Sequence, residues 1–193
     1  MARPKAFDRD TALQAALDVF WTKGYAGAST DDLTVAMGIG RQSLYDTFGD
    51  KRRLYLEALT RYNTENVAGH LAALRNAASA TDAIEGLLLR FANEPEPLRA
   101  RGCMGINAIC EFGQDPDVSA AGRASGELLE ANLVRLLETG KAAGDVDSAV
   151  DPRSAARFIA ATLAGLKVQA KAGAPADVLR EVAAFAVGSL KPR

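Results

Sequence analysis

Apolar side chains return every three or four residues along most of this chain, and no stretch alternates long enough to make a strand. From Asp8 to about Lys23 the series Ala12, Leu13, Ala16, Leu17, Val19 and Phe20 marks one helical face, opened by an aspartate and closed by Gly24. After the turn Gly24-Tyr25-Ala26-Gly27-Ala28, Ser29 is placed to cap a second helix, with Asp32 three residues on as its capping-box partner. That helix runs to about Met37. Gly38-Ile39-Gly40 is a tight break, and Arg41 to Phe48 forms a third, short helix ended by Gly49. From Asp50 to Arg75 the positions Leu54, Leu56, Leu59, Tyr62, Val67, Leu71 and Leu74 predict a long helix, interrupted near Gly69. Further helices are expected over 81–93, 100–113, 117–143, 152–172 and 176–190, between Pro- and Gly-bearing breaks.

Composition agrees with this helical reading. Thirty-eight of 193 residues are alanine, the strongest helix former. With 48% hydrophobic and 24% charged residues the chain has material for a packed core, and disorder is set aside. No apolar run reaches the roughly 20 residues of a membrane span, and the first ten residues lack the apolar stretch of a signal peptide. A cytoplasmic protein with no membrane partner is expected, its two cysteines kept as thiols.

The same residues narrow the chemistry. A single histidine, His70, excludes any two-histidine metal site, and its ordinary reading is an exposed helix position after Gly69. No phosphate-binding loop, dinucleotide fingerprint or CxxC pair occurs, so neither metal, cofactor nor enzymatic activity is expected. The net charge of −1 is spread evenly: residues 1–61 hold nine Lys/Arg against eight Asp/Glu. Local placement says more. Arg3 and Lys5 form a basic arm, and Lys51-Arg52-Arg53 follow the third helix, where phosphate contacts would be needed.

Two short helices joined by a glycine-bearing turn and braced by a preceding helix suit a helix-turn-helix, which lays its second helix in the DNA major groove; a plain helical hairpin has the same outline. The motif residues decide between them. Phe20, Gly24, Tyr25, Ser29, Thr30, Ala36, Gly38, Ile39, Leu44, Tyr45, Phe48, Lys51 and Leu54, within residues 8–59, resemble the N-terminal domain of the tetracycline repressor (TetR) family. Thr47 and Arg52 depart from the usual pattern, and Arg52 is expected to add charge near DNA and raise salt sensitivity.

The resemblance implies an all-α protein, with a three-helix DNA-binding domain over residues 1–50 and a helical effector-binding and dimerisation domain over 51–193. It implies a homodimeric regulator, most readily a repressor of a palindromic operator in double-stranded DNA, with half-sites about 34 Å apart. Tyr45, Lys51 and the hydroxyls of Ser29 and Thr30 are expected on phosphates. Arg41, Gln42, Ser43 and Asp46 face outward if Leu44 and Phe48 pack inward, and these types read guanine, adenine and cytosine edges. Arg3 and Lys5 reach the backbone or a minor groove, or form a disordered tail. Phe7, Leu13, Leu17, Phe20, Leu33, Leu44 and Phe48 are core.

For the dimer the family pairs the last two long helices, and Ala155, Phe158, Ile159, Thr162, Leu163 and Leu166 with Leu179, Val182, Phe185 and Ala186 offer apolar faces, which otherwise serve only the core of one chain. A pocket for a small apolar or aromatic effector is expected among Tyr62, Phe91, Cys103, Met104, Asn107, Cys110, Glu111, Leu129, Leu133, Phe158 and Leu166. Cys103 and Cys110, i and i+7, lie on one face if the helix over 100–113 is intact, with Cα atoms about 10.5 Å apart. That exceeds the roughly 7 Å reach of a disulfide. The thiols are then either sensors of an oxidant or electrophile or small buried hydrophobes.

Overall fold

The computed structural model describes residues 7–75 and 77–192, so Arg3 and Lys5 lie outside the described residues. Among these residues the chain forms ten helices and no strand, as an all-α sequence should. The first three are α1 (Arg9–Gly27), α2 (Thr30–Met37) and α3 (Arg41–Phe48). Asp8 caps α1, and the buried stripe Ala12, Leu13, Ala16, Leu17 and Phe20 faces the core. The helix breaks at Gly24, whose φ of 72° and ψ of 176° suit only glycine. Ser29 and Asp32 close the expected capping box on α2. Gly38, left-handed at φ 64°, donates its N–H to the carbonyls of Thr34 and Val35, and so turns the chain into α3.

The long helix α4 spans Lys51–Arg75. Its first half belongs to the head's core: Leu54, Tyr55, Ala58, Leu59 and Tyr62 pack with Leu17, Phe20, Leu33, Leu44 and Phe48. It is not interrupted at Gly69. There the missing side chain leaves room for the Arg90 guanidinium, which lies against the spot a Cβ would occupy.

The remaining helices are α5 (Ala80–Leu89), α6 (Glu96–Arg101), α7 (Met104–Phe112), α8 (Pro116–Ala143), α9 (Pro152–Lys171) and α10 (Ala176–Gly188). A second core gathers Ile84, Leu87 and Leu88 of α5, Leu133 and Leu137 of α8, Ile159, Leu163 and Leu166 of α9, and Leu179 and Ala183 of α10. The single helix expected over 100–113 is two. Gly102 turns to φ 67°, and Cys103 is extended at φ −101°, ψ 120° as the N-cap of α7. The two cysteines therefore do not share one intact helix: Cys103 is buried and Cys110 exposed. No helix of the described residues is long and apolar enough to cross a membrane.

Candidate functional site

Leu44 and Phe48 are buried, and this turns the opposite side of α3 outward. Arg41, Gln42, Tyr45 and Asp46 are exposed and Ser43 is half-buried, as the i, i+4 spacing predicts. Arg41, Gln42 and Asp46 are already paired. Arg41 donates to Asp31 Oδ1 from Nη2 at 2.7 Å and Nε at 3.3 Å, and Gln42 Nε2 donates to Asp46 Oδ1 at 2.7 Å. Exposed pairs of this kind contribute about 0–1 kcal/mol, so they open at little cost.

The N-terminus of α2 is partly committed. The Ser29 hydroxyl donates to Asp32 Oδ2 at 2.8 Å and accepts the Asp32 N–H at 3.0 Å, which leaves Thr30 the freer hydroxyl for a phosphate. Lys23 Nζ sits 2.6 Å from Asp32 and, with the Ser29 N–H and hydroxyl, holds that carboxyl well below the usual range. Lys51 is half-buried with Nζ 4.3 Å above the Tyr25 ring.

Arg52 does something other than expected. Its Nη2 donates to Asp115 Oδ2 at 2.8 Å and Asp117 Oδ2 at 2.9 Å, and the two carboxylates, Asp117 the stronger, raise its pKa. Its charge is balanced at the start of α8, so it ties head to body. Two further ties lie beside it. Glu111 of α7 accepts the N–H groups of Tyr25 at 3.0 Å and Ala26 at 2.7 Å. Trp21 Nε1 donates to the Gly102 carbonyl at 2.9 Å, while Arg101 stacks over Trp21 and pairs with Asp18. The rings of Phe20, Tyr25, Tyr55 and Phe112 meet in the same place, Phe20 and Tyr55 edge to face at 5.0 Å and Tyr55 and Phe112 at 5.3 Å. Glu111 is thus part of the head–body junction, not of an apolar pocket.

Behind the junction lies a cavity of about 480 Å³, within the span of small-molecule sites. It is walled by α4, α7, α8 and α9. Of the expected pocket residues, Cys103 and Leu129 line it. Tyr62, Phe91, Met104, Leu133 and Leu166 are buried in the surrounding cores and do not, and Phe158 is 44% exposed on the opposite side of α9. Asn107 and Cys110 join Cys103 in a smaller cavity of about 210 Å³, where Lys171 Nζ donates to Asn107 Oδ1 at 2.7 Å.

Sequence reasoning missed the polar side of the main cavity. His70, expected at the surface, is 2% exposed; burial first, then the charges of Lys167 and Arg90, push its pKa down to about 3. Lys167 is 6% exposed with Nζ 3.2 Å from His70 Nε2 and 3.8 Å from Cys103 Sγ. A lysine among Ile159, Leu163, Leu166 and Ala170 was the available signal, as was the small-residue stripe Ser119, Gly122 and Gly126 on α8.

The outer faces of α9 and α10 correct part of the sequence reading. Ala155, Ile159, Leu163, Leu179 and Ala186, expected between protomers, are buried within this chain. Thr162 and Val182 are half-buried. The large apolar residues left exposed on these two helices are Phe158 and Phe185, both expected at the interface, together with Val168 and Val178; Phe185 is 81% exposed.

This architecture has known counterparts. Residues 12–58 match the family described as bacterial regulatory proteins, tetR family, and residues 80–185 match the tetracyclin repressor-like C-terminal domain. The chain is 33% identical over 184 residues to the uncharacterized HTH-type transcriptional regulator YezE of Bacillus subtilis, covering 94% of this chain and 95% of that one. It is 30% identical over 187 residues to the HTH-type transcriptional repressor ComR of Escherichia coli, covering 94% and 88%. Among solved structures, a cysteine mutant of the TetR family regulator CifR, complexed with 26 bp operator DNA, superposes with a TM-score of 0.75 at 35% identity, over 98% of this chain and 100% of that one. By both halves of its length, the chain belongs to the tetR family of bacterial transcriptional regulators, proteins that bind operator DNA and are not enzymes.

Proposed function

We propose that this protein is a homodimeric transcriptional repressor that holds a palindromic operator through α3 and releases it when a small molecule occupies the 480 Å³ cavity or a cysteine is modified. One observation carries the reading: α4 is a single helix of 25 residues, about 37 Å long, with its start in the head and its far half in the cavity wall. Arg52 and Tyr55 sit at the head end; Asn63, Asn66, Val67 and His70 line the cavity. A ligand that changes the packing of α4 against α8 and α9 changes the angle of the head, and differential affinity for the two arrangements couples effector to operator.

On DNA, Arg41, Gln42, Ser43 and Asp46 read bases, while Thr30, Tyr45 and Lys51 hold phosphates, with Ser29 fixing the helix end beside them. Arg3 and Lys5 precede the head as a basic arm. The exposed stripe of Phe158, Val168, Val178 and Phe185 is the surface we assign to the partner protomer. Repression is favoured by the likeness to ComR, and the operator complex of CifR supplies the precedent for duplex DNA. Thiol control rests on Cys103, which opens onto both cavities, and on the exposed Cys110. We place the boundary between the domains near residue 50, where the α4 lever starts, with Leu54 to Tyr62 of that lever still packed in the head's core.

The test is a footprint on the DNA flanking the protein's own gene, at fixed salt and against an unrelated duplex. Two symmetric protected half-sites are expected; equal affinity for both duplexes overturns the assignment.

A further inference from the structure

The buried polar cluster of the cavity is unbalanced in a way that identifies the ligand it suits. Lys167 and Arg90 approach the two nitrogens of one imidazole, Lys167 Nζ at 3.2 Å from Nε2 and Arg90 Nη1 at 3.4 Å from Nδ1 of His70. A neutral imidazole accepts at one nitrogen only. His70 is held neutral, so two basic side chains crowd one acceptor, and burial, with Arg90 beside it, lowers the pKa of Lys167, the mark of an ammonium without a counter-charge. The other neighbours of Lys167 Nζ are the Cys103 sulfur at 3.8 Å and the Phe91 ring at 4.6 Å from its centre, both weak partners for an ammonium.

No carboxylate bonds to either basic group. Among the described residues, neither Lys167 nor Arg90 belongs to an ion pair. The half-buried Glu94 is the acidic group whose field they feel, and burial raises its own pKa, which works against its serving as their counter-charge. The walls of the cavity carry Lys167 and the exposed Arg123 and, among the described residues, no Asp or Glu. In a chain of net charge −1, a chamber with cations and no acid departs from the near balance of the whole sequence. The rest of the lining is mostly apolar, including Leu59, Val67, Ile106, Leu129 and Leu163, with Asn63, Asn66, Ser119 and Ser125 as its neutral polar groups.

Taking the cavity as the effector site proposed above, we infer that its ligand is a small organic acid, its carboxylate held by Lys167 and its apolar body lying against Leu59, Val67, Ile106, Leu129 and Leu163. The carboxylate supplies the acceptor that His70 cannot offer twice, and a charge-assisted bond to a buried lysine is the strong kind. Lys167 lies on α9 and His70 on α4, so drawing Lys167 toward the ligand loosens the contact that joins the two helices. This is the coupling by which an acid reaches the head. Covalent capture by Cys103 is a different route, and the test below does not depend on it.

The probes are octanoate and 4-phenylbutyrate, with octan-1-ol and 4-phenylbutan-1-ol as uncharged counterparts, titrated calorimetrically into the full chain near pH 7. At least one acid is expected to bind about tenfold or more tightly than its alcohol, the worth of one charged hydrogen bond. Lys167→Met keeps the stem and removes the charge. It should bring the acid down to the alcohol and leave the alcohol unchanged, and removing a buried charge for an apolar group of similar size is tolerated. An alcohol binding as well as its acid, an acid preference surviving in Lys167→Met, or no binding by any of the four overturns the inference. If Lys167→Met fails to fold, the acid–alcohol comparison on the native chain decides alone. Operator affinity is measured separately on the same samples. Acid binding that leaves operator affinity unchanged refutes the effector reading and spares the acid site, whereas operator binding without acid preference does the reverse.

Discussion

Gly24→Ala tests how tightly the head is tied to the body. Gly24 has φ 72° and ψ 176°, a region that only glycine occupies without strain, and an alanine forced there costs about 1–3 kcal/mol. The added Cβ also lies 3.2 Å from Glu111 Oε2. To relieve that, the carboxylate must retreat from the Tyr25 and Ala26 N–H groups it now accepts at 3.0 and 2.7 Å. Charged hydrogen bonds contribute about 1.5–3 kcal/mol each, and the exposure of Glu111 reduces the combined loss here to about 1 kcal/mol. The sum is about 2–4 kcal/mol, which for a chain of this length lowers Tm by about 5–15 °C. Urea unfolding of the native chain, Gly24→Ala, Glu111→Ala and the double variant reads it directly. Because Glu111→Ala removes both the obstacle and the bonds, the double variant should be less destabilised than the two single changes together by about 1 kcal/mol. A Gly24→Ala loss under about 0.5 kcal/mol refutes the backbone argument, and strict additivity refutes the contact with Glu111.

Three other outcomes follow from the same geometry. Phe185→Asp should give a monomer by sedimentation with unfolding stability changed by under about 1 kcal/mol, since Phe185 is 81% exposed in its own chain; a dimer that survives would move the interface elsewhere. Lys51→Ala should reduce the slope of log affinity for DNA against log salt by about 1, whereas Arg52→Ala should leave the slope unchanged because Asp115 and Asp117 already balance that charge; a slope that falls for Arg52→Ala returns it to the DNA. Stability should decline as pH falls from about 6.5 toward 4.5: the unfolded imidazole takes a proton that buried His70 refuses until about pH 3, so the loss approaches 1.4 kcal/mol per unit. Glu94, raised by burial, acts with the opposite sign in the lower part of that window, while the depressed carboxylates Asp32, Asp115 and Asp151 lose their contribution only as pH falls below about 4. The difference between native and His70→Leu curves is therefore the quantity to read, and parallel curves contradict the assignment.

The head was legible in the sequence because its signals are local. Ser29 and Asp32 are three residues apart, Gly38 makes its turn within its own neighbourhood, and Leu44 and Phe48 alone decide which side of α3 faces out. What failed was long-range. Arg52 lies 63 positions from Asp115, and Lys167 lies 97 from His70; no spacing rule joins such pairs. The break at Cys103 depends on a positive φ at Gly102, which sits where a glycine inside a helix is also tolerable. On α9, apolar residues occur on two sides, Ile159, Leu163 and Leu166 inward and Phe158 and Val168 outward, so periodicity gives a helix without saying which stripe meets its own core. That ambiguity placed the inward Ile159 and Leu163 at the interface along with the outward Phe158.

The most direct measurement is the affinity of the native chain and of Arg41→Ala/Gln42→Ala for the footprinted operator and for an unrelated duplex, in the same salt. If α3 reads bases, the double variant loses about tenfold or more on the operator and almost nothing on the unrelated duplex. Equal weakening on both would make Arg41 and Gln42 backbone contacts and would contradict the placement of α3 as the reading helix.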